Sequence, residues 1–270
     1  MHKVRILALL ALLIPATASA QLVGEAPTPI LLPGSVNVSI GTLAPAERDN
    51  ALGQVTVEQG FTIARWGPLF VVGFADMGAR HDTEGLSWNR ATTTTAGLKI
   101  GLVTRAGVLQ AAAGAMSHDV GRGRIHANKA AYVTYWTGWR ADRLATGAAL
   151  IPDALPGYIY AASGMMTPAE PDNWITSVAL QQGAAVARYR RTSLVPYVGG
   201  SAIADTAGFD WNNRSRVDAG IKLAREIGSG VIEAGVAHRR EWDRHSGETR
   251  QAPIVYVNLW FGWNPRIGSR

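Results

Sequence analysis

Cysteine is absent from all 270 residues, so neither a disulfide scaffold nor a thiolate metal or redox centre is available. Charge is scarce: Asp, Glu, Lys and Arg make up 17% of the chain, against about a quarter in ordinary globular proteins. With 47% hydrophobic residues, this excludes an intrinsically disordered chain. After the first 20 residues no apolar run approaches the ~18 residues of a spanning helix. The net charge of +6 falls once the leader's two cations are set aside, and the basic residues sit in no binding-motif context, so no nucleic-acid partner is expected.

The N-terminus has the three parts of a secretory signal peptide. Lys3 and Arg5 open it, Ile6–Ile14 is the apolar stretch, and Ala18-Ser19-Ala20 is a small-residue cleavage site. Residues 1–20 are therefore expected to be removed and the protein exported, with 21–31 as an N-terminal periplasmic segment.

The most informative feature is an internal repeat. Displaced by 123 residues, the chain matches itself without a gap, and 27 of the 84 positions in 32–115 are identical to their counterparts in 155–238. LPGSVNVSIGTLAPAERDN (Leu32–Asn50) lies on LPGYIYAASGMMTPAEPDN (Leu155–Asn173), and DTEGLSWN (Asp82–Asn89) on DTAGFDWN (Asp205–Asn212). After one inserted residue the match resumes with AYVTYWTGW (Ala131–Trp139) on VYVNLWFGW (Val255–Trp263). The reading is a tandem duplication: repeat 1 over 32–140, a linker over 141–154, repeat 2 over 155–264 and a tail over 265–270.

Each copy alternates apolar and polar residues with a period of two, which marks strands. In the last segment Val255, Val257, Leu259, Phe261 and Trp263 share one face, and Tyr256, Asn258, Trp260 and Gly262 the other. Six segments are expected per copy: 35–44, 52–65, 69–79, 91–103, 107–116 and 130–139, then 158–166, 175–189, 194–204, 214–225, 231–238 and 254–263. Tight connections such as Trp66-Gly67-Pro68 alternate with long polar ones such as 80–90 and 117–129. Short turns at one end and long loops at the other suit a single antiparallel transmembrane β-barrel of about twelve strands. The rival is a soluble β protein in which each repeat closes as a small barrel. Charges on the second face argue against it, because unpaired buried charges are costly.

In this pattern the chain resembles Gram-negative outer-membrane β-barrel proteins of the twelve-stranded size class, and more faintly the C-terminal barrels of exopolysaccharide-export and phage-adsorption proteins. The resemblance implies an outer-membrane location, contact with lipid and lipopolysaccharide, assembly by the barrel-assembly machinery, and a saccharide or export-complex partner. Such barrels often end in an aromatic residue; here Trp263 is followed by NPRIGSR.

Glu58, Asp76, Lys99, Gln110, Trp136, Gln181, Lys222, Glu233 and Trp260 are the expected lumen-facing candidates. They set ion selectivity and offer a greasy slide for sugar rings, as in a channel or export component for a polar solute such as a saccharide, or they fill a narrow barrel with paired charges and aromatic plugs, as in a closed structural or adhesion barrel that displays its loops. Asp82, Trp88, Asn89, Asp205, Trp211 and Asn212 are the loop candidates, the tryptophans either stacking on sugar or anchoring in the interfacial belt. PAERDN and PAEPDN (Pro45–Asn50, Pro168–Asn173) read as turns; Glu47 and Asp49 lack a third ligand at fixed spacing, so no metal and no cofactor is expected. Arg239, Arg240, Arg244 and Arg250 form a basic loop cluster for lipopolysaccharide phosphates. Ser117-His118-Asp119 and His245-Ser246 are weak candidates for an outer-membrane hydrolase, since no orienting partner for the histidine is assignable. The expectation is a non-enzyme.

Overall fold

The structure, a computed structural model, describes residues 30–42, 50–85, 90–119, 125–142, 154–165, 172–209, 212–244, 246–264 and 266–267. The signal peptide, Glu47, Asp49, Trp88, Asn89, Trp211, His245 and most of the linker lie outside the described residues.

After β1 (Ile30–Leu31), the first half contributes β2 (Gly34–Gly41), β3 (Leu52–Trp66), β4 (Leu69–Asp82), β5 (Ala91–Thr104), β6 (Gly107–Asp119) and β7 (Ile125–Asp142). The second half contributes β8 (Ala154–Met165), β9 (Ile175–Gly183) with its continuation β10 (Ala187–Tyr189), β11 (Thr192–Asp205), β12 (Arg214–Ile227), β13 (Gly230–Asp243) and β14 (Thr249–Trp263), before β15 (Arg266–Ile267). The bounds themselves recur: β3, β4 and β5, displaced by 123 residues, give the outer limits of β9–β10, β11 and β12. β1 pairs with β15; from β2 to β9 and from β10 to β14 each strand pairs antiparallel with the next in the chain, β14 pairs with β2, and β9 pairs with β11. Counting β9 and β10 as one stave, twelve strands close into a ring that leaves no open edge. Had each repeat closed alone, β2 would pair with β7; instead β7 pairs with β8. The two-barrel alternative is thereby excluded.

The two faces are the inverse of a soluble protein's. Leu98, Ile100, Leu180, Val198, Leu223 and Val255 alternate along neighbouring strands on the outer face, each at least half exposed. On the inner face Lys99, Lys222, Arg239 and Glu241 are buried. An exposed apolar belt around a core of paired charges is unstable in water and stable in lipid. This is the wall of a transmembrane β-barrel. Trp66, Trp139 and Trp263 stand at the tight-turn end, where amphipathic rings meet the lipid–water boundary. Trp139 and Trp263 each donate an indole N–H at 3.0 Å to the amide oxygen of Gln182 and Gln59 respectively.

Three departures from simple alternation matter. First, the β3–β4 register shifts between Thr62 and Ala64, and the same break separates β9 from β10. The bulge reverses the facing, so Arg65 and Arg188 turn inward below it. Gly60 and Gly183 make it possible: a Cβ there would lie 2.7 and 2.5 Å from a Val72 and a Val195 methyl. Second, β6, β7, β13 and β14 run further toward the long-loop end than the apolar alternation does. Backbone pairing continues above the lipid, where side chains need not alternate, so within the expected 117–129 loop Ser117–Asp119 belong to β6 and Ile125–Lys129 to β7. Third, the inner face carries its own apolar core. Val72, Phe74 and Ala112 cluster with Phe70 and Tyr132; in the other half Tyr197 and Tyr256, the equivalents of Phe74 and Tyr132, cluster with Ala237 and Ile254.

Candidate functional site

Two lysine centres occupy the mid-lumen. Lys99 on β5 reaches over the Phe74 ring (4.2 Å) on β4 to pair with Glu58 on β3. Asp76 stands directly opposite Glu58 in the ladder, so two carboxylates flank this ammonium. Lys222 on β12 reaches over Tyr197 (5.3 Å) to the Gln181 amide oxygen on β9, and on its other side pairs with Glu233 on β13 at 2.7 Å. The halves have exchanged acid and amide: Glu58 with Gln110 in one, Gln181 with Glu233 in the other. Each lysine thus keeps a carboxylate, delivered from opposite sides. Gln110 lies on the inner face of β6, at the place Glu233 takes on β13.

Trp136 and Trp260 lie on the lumen side of β7 and β14 near the tight-turn end, 50% and 44% exposed. Tyr158 and Tyr160 on β8 face the same space, 37% and 39% exposed. The lumen wall therefore combines ion pairs with accessible aromatic faces. The structure brings the nine lumen candidates onto one surface. It groups Glu58, Asp76 and Lys99, and separately Gln181, Lys222 and Glu233, while Gln110, Trp136 and Trp260 stand apart.

Sequence reasoning missed a third lumen feature, toward the long-loop end of the second half. Ladder pairing aligns Tyr160, Ala179, Ser201, Arg216, Glu241 and Arg250 in one row across β8, β9, β11, β12, β13 and β14. The next row holds Ser177, Ile203 and Arg214. All of these except Glu241 and Arg250 line a cavity of about 230 Å³. The signal was present in the chain, since Arg214, Arg216, Asp218 and Lys222 fall on the polar face of β12's alternation.

The basic loop cluster is corrected by the same register. Arg239 is buried in the lumen, held bidentately by Asp218 at 2.6 and 2.7 Å. Arg250 is in β14, bonded to Glu248 at 2.6 Å. Arg240 alone of the strand pair faces outward, over Trp242 at 5.1 Å, and Arg244 bonds Ser215 at 2.9 Å. Strand alternation splits Arg239 from Arg240, so four residues near in sequence do not form one phosphate-facing surface.

At the long-loop rim the two repeated motifs meet. Asn50, from PAERDN, donates to Asp82 at 2.8 Å and accepts from Thr83 Oγ1 and the Glu84 amide; Asp82 also accepts from the Gly85 amide at 2.7 Å. Asn173 repeats this with Asp205 (2.9 Å), Thr206 and Ala207, and Gly208 donates to Asp205 at 2.7 Å. Asn212 and Asn213 add further bonds to Asp205. Burial alone would raise this carboxyl, but the donors Asn173, Asn212, Asn213 and the Gly208 amide outweigh it and hold Asp205 at about 2. Asp82, Asp205 and Asn212 are thus clasps between the loop after β4 or β11 and the strand beside it.

No catalytic pair forms at Ser117 and His118. Adjacent strand residues point to opposite faces: Ser117 bonds Thr94 at 2.7 Å, while His118 bonds Thr93 at 3.0 Å on the lumen side. Among the described residues no three His, Asp or Glu side chains are grouped to hold a metal ion.

No family profile matches the chain, and no curated protein does. Among solved structures it is similar to the β domain of the Bordetella autotransporter BrkA, at 10% identity and TM-score 0.42, covering 87% of this chain and 100% of that one. It is also similar to an outer membrane channel of Pseudomonas putida F1, at 7% identity and TM-score 0.43, covering 90% and 98%. The transport unit of the Escherichia coli autotransporter AIDA-I gives 12%, 0.34, and 90% and 93%. No activity passes from them to this chain at such identities.

Proposed function

We propose that this barrel sits in the outer membrane of a Gram-negative envelope and passes a polar solute of the saccharide class. The observation that carries the reading is the inner wall: Trp136, Tyr158, Tyr160 and Trp260 present accessible ring faces beside fixed ion pairs. Sugar rings stack on aromatic faces, and charges set which polar solutes share the lumen. Planar-bilayer recording of the refolded protein tests this. Discrete conductance that maltooligosaccharides block supports it; no conductance with or without oligosaccharide overturns it.

The second reading is a closed barrel that displays its loops. It is favoured by the buried inner clusters around Phe74 and Ile254. Such a barrel conducts nothing and loses partner binding when residues 206–213 or 244–248 are shortened.

A further inference from the structure

The cavity at the long-loop end differs from the rest of the lumen in the state of its charges. Three guanidinium groups along this wall have carboxylates: Arg239 has Asp218, Arg250 has Glu248, and Arg214 lies 3.9 Å from Glu241. Arg216 has no ion pair and no side-chain hydrogen bond among the described residues, although it stands directly opposite Glu241 in the ladder. Its neighbours compete for few acids, and each acid is already taken. No buried side-chain nitrogen or oxygen among the described residues lacks a partner, so the unpaired Arg216 nitrogens are open to the cavity rather than sealed in the wall.

The other polar residues lining the cavity are Arg214, Ser215, whose hydroxyl accepts from Arg244, and the three hydroxyl-bearing residues Ser177, Ser201 and Tyr160. The three hydroxyls also make no side-chain hydrogen bond among the described residues. The cavity therefore presents two guanidiniums and three free hydroxyls, with no carboxylate on its lining. A guanidinium fork matches the paired oxygens of a carboxylate or phosphate, and hydroxyls add neutral donors around it.

The matching row of the first half shows that barrel closure does not require this arrangement. There Asn37, Thr56, Gly78, Thr93, His118 and His126 take the places of Tyr160, Ala179, Ser201, Arg216, Glu241 and Arg250. The row closes the same ladder with no arginine and no carboxylate.

We propose that this cavity binds an oxyanion, with Arg216 as the principal contact, Arg214 as a second charge, and Ser177, Ser201 and Tyr160 as hydroxyl donors. That the anion belongs to the transported solute, making it an acidic sugar, rests on the channel reading; the binding itself does not.

The test is calorimetric titration of the refolded barrel in detergent micelles with inorganic phosphate, D-glucuronate and D-glucose. One or both anions are expected to bind with glucose giving no comparable heat, and Arg216→Gln is expected to weaken that binding at least tenfold. Arg214→Gln is the second variant, expected to weaken it severalfold, and serves if Arg216→Gln does not fold. Arg225→Gln, on the outer face of β12, is expected to bind as the parent does. Glucuronate binding points to a sugar acid, and phosphate binding alone to a phosphate group; either supports the site. No binding of either anion at tens of millimolar, or equal binding by both folded variants, overturns it. A barrel that conducts but binds no anion leaves the channel reading standing and removes this one; a barrel that binds but does not conduct does the reverse.

Discussion

Replacing Glu233 with Gln removes the one carboxylate bonded to Lys222 among the described residues, and the structure says which second substitution should repair the damage. The pair is 2.7 Å apart, with side-chain exposures of 7% and 21%. At an effective dielectric of about 20 the gross attraction is about 6 kcal/mol, much of it offset by desolvation. Removing one partner of a buried pair typically costs about 3–5 kcal/mol. Lys222 would keep the Gln181 oxygen and the Tyr197 ring face, so the expected loss is about 2 kcal/mol. Gln181→Glu places a carboxylate on the side from which Glu58 serves Lys99. The Gln181→Glu, Glu233→Gln double variant should therefore recover to within about 1 kcal/mol of the parent. Glu58→Gln should cost less than Glu233→Gln, because Asp76 remains beside Lys99, whereas Gly199 occupies the matching place near Lys222. Urea unfolding of the refolded proteins, followed by tryptophan fluorescence at pH 7, measures all four. If the double variant is no more stable than Glu233→Gln alone, the exchange of acid and amide between the halves is not a conserved ion pair and the reasoning fails.

Asn173→Ala should lower loop stability by about 1 kcal/mol and speed cleavage within 206–213, leaving the barrel's heat-modifiability unchanged. Because the folded Asp205 value of about 2 lies below the ordinary 3.8, its contribution is full above the unfolded value and lost as pH falls through about 2. Pepsin should thus spare this loop at pH 4 and cut it near pH 2, with the pH dependence flattened in Asp205→Asn. On the lipid face Leu180→Arg should cost about 2–4 kcal/mol in the same urea assay, while Thr56→Arg on the lumen face should cost about 1 kcal/mol or less. His118→Ala should leave envelope phospholipid and lipid A profiles unchanged, since Ser117 lies on the opposite face of β6.

The staves were legible because one physical constraint governs them. A strand with lipid on one side and a polar lumen on the other must alternate, and Val217, Ala219, Ile221 and Leu223 against Asp218, Gly220 and Lys222 admit no other reading. Where that constraint lapses, legibility lapses too. Ile63 breaks the count at the bulge, and nothing local marks it except Gly60 three residues earlier. Above the lipid the backbone ladders of β6 with β7 and of β13 with β14 persist without the apolar alternation, so Ser117–Asp119 and Arg239–Asp243 look like loop and are strand. The clasps were half visible: PAExDN and DTxG recur as a pair, yet that Asn50 grips Asp82 depends on β3 and β4 being neighbours.

Recurrence is also a poor guide to where the chemistry lies. The features common to both halves are those that hold the wall together: the lysine reaching across one stave to the next but one, the Asn–Asp clasp, the Trp–Gln bond at the tight-turn end, and the glycine beside the bulge. A duplicated unit must keep them twice: the lysine, the clasp and the glycine serve their own half, and the two Trp–Gln bonds close the two seams between the halves. On the proposed channel reading a solute meets a single lumen, so a contact for it is needed only once and the matching place in the other half is free to change. The Arg216 row against the Thr93 row is that contrast. The charges that differ between the halves, and not those they share, are where selectivity for a solute is to be sought.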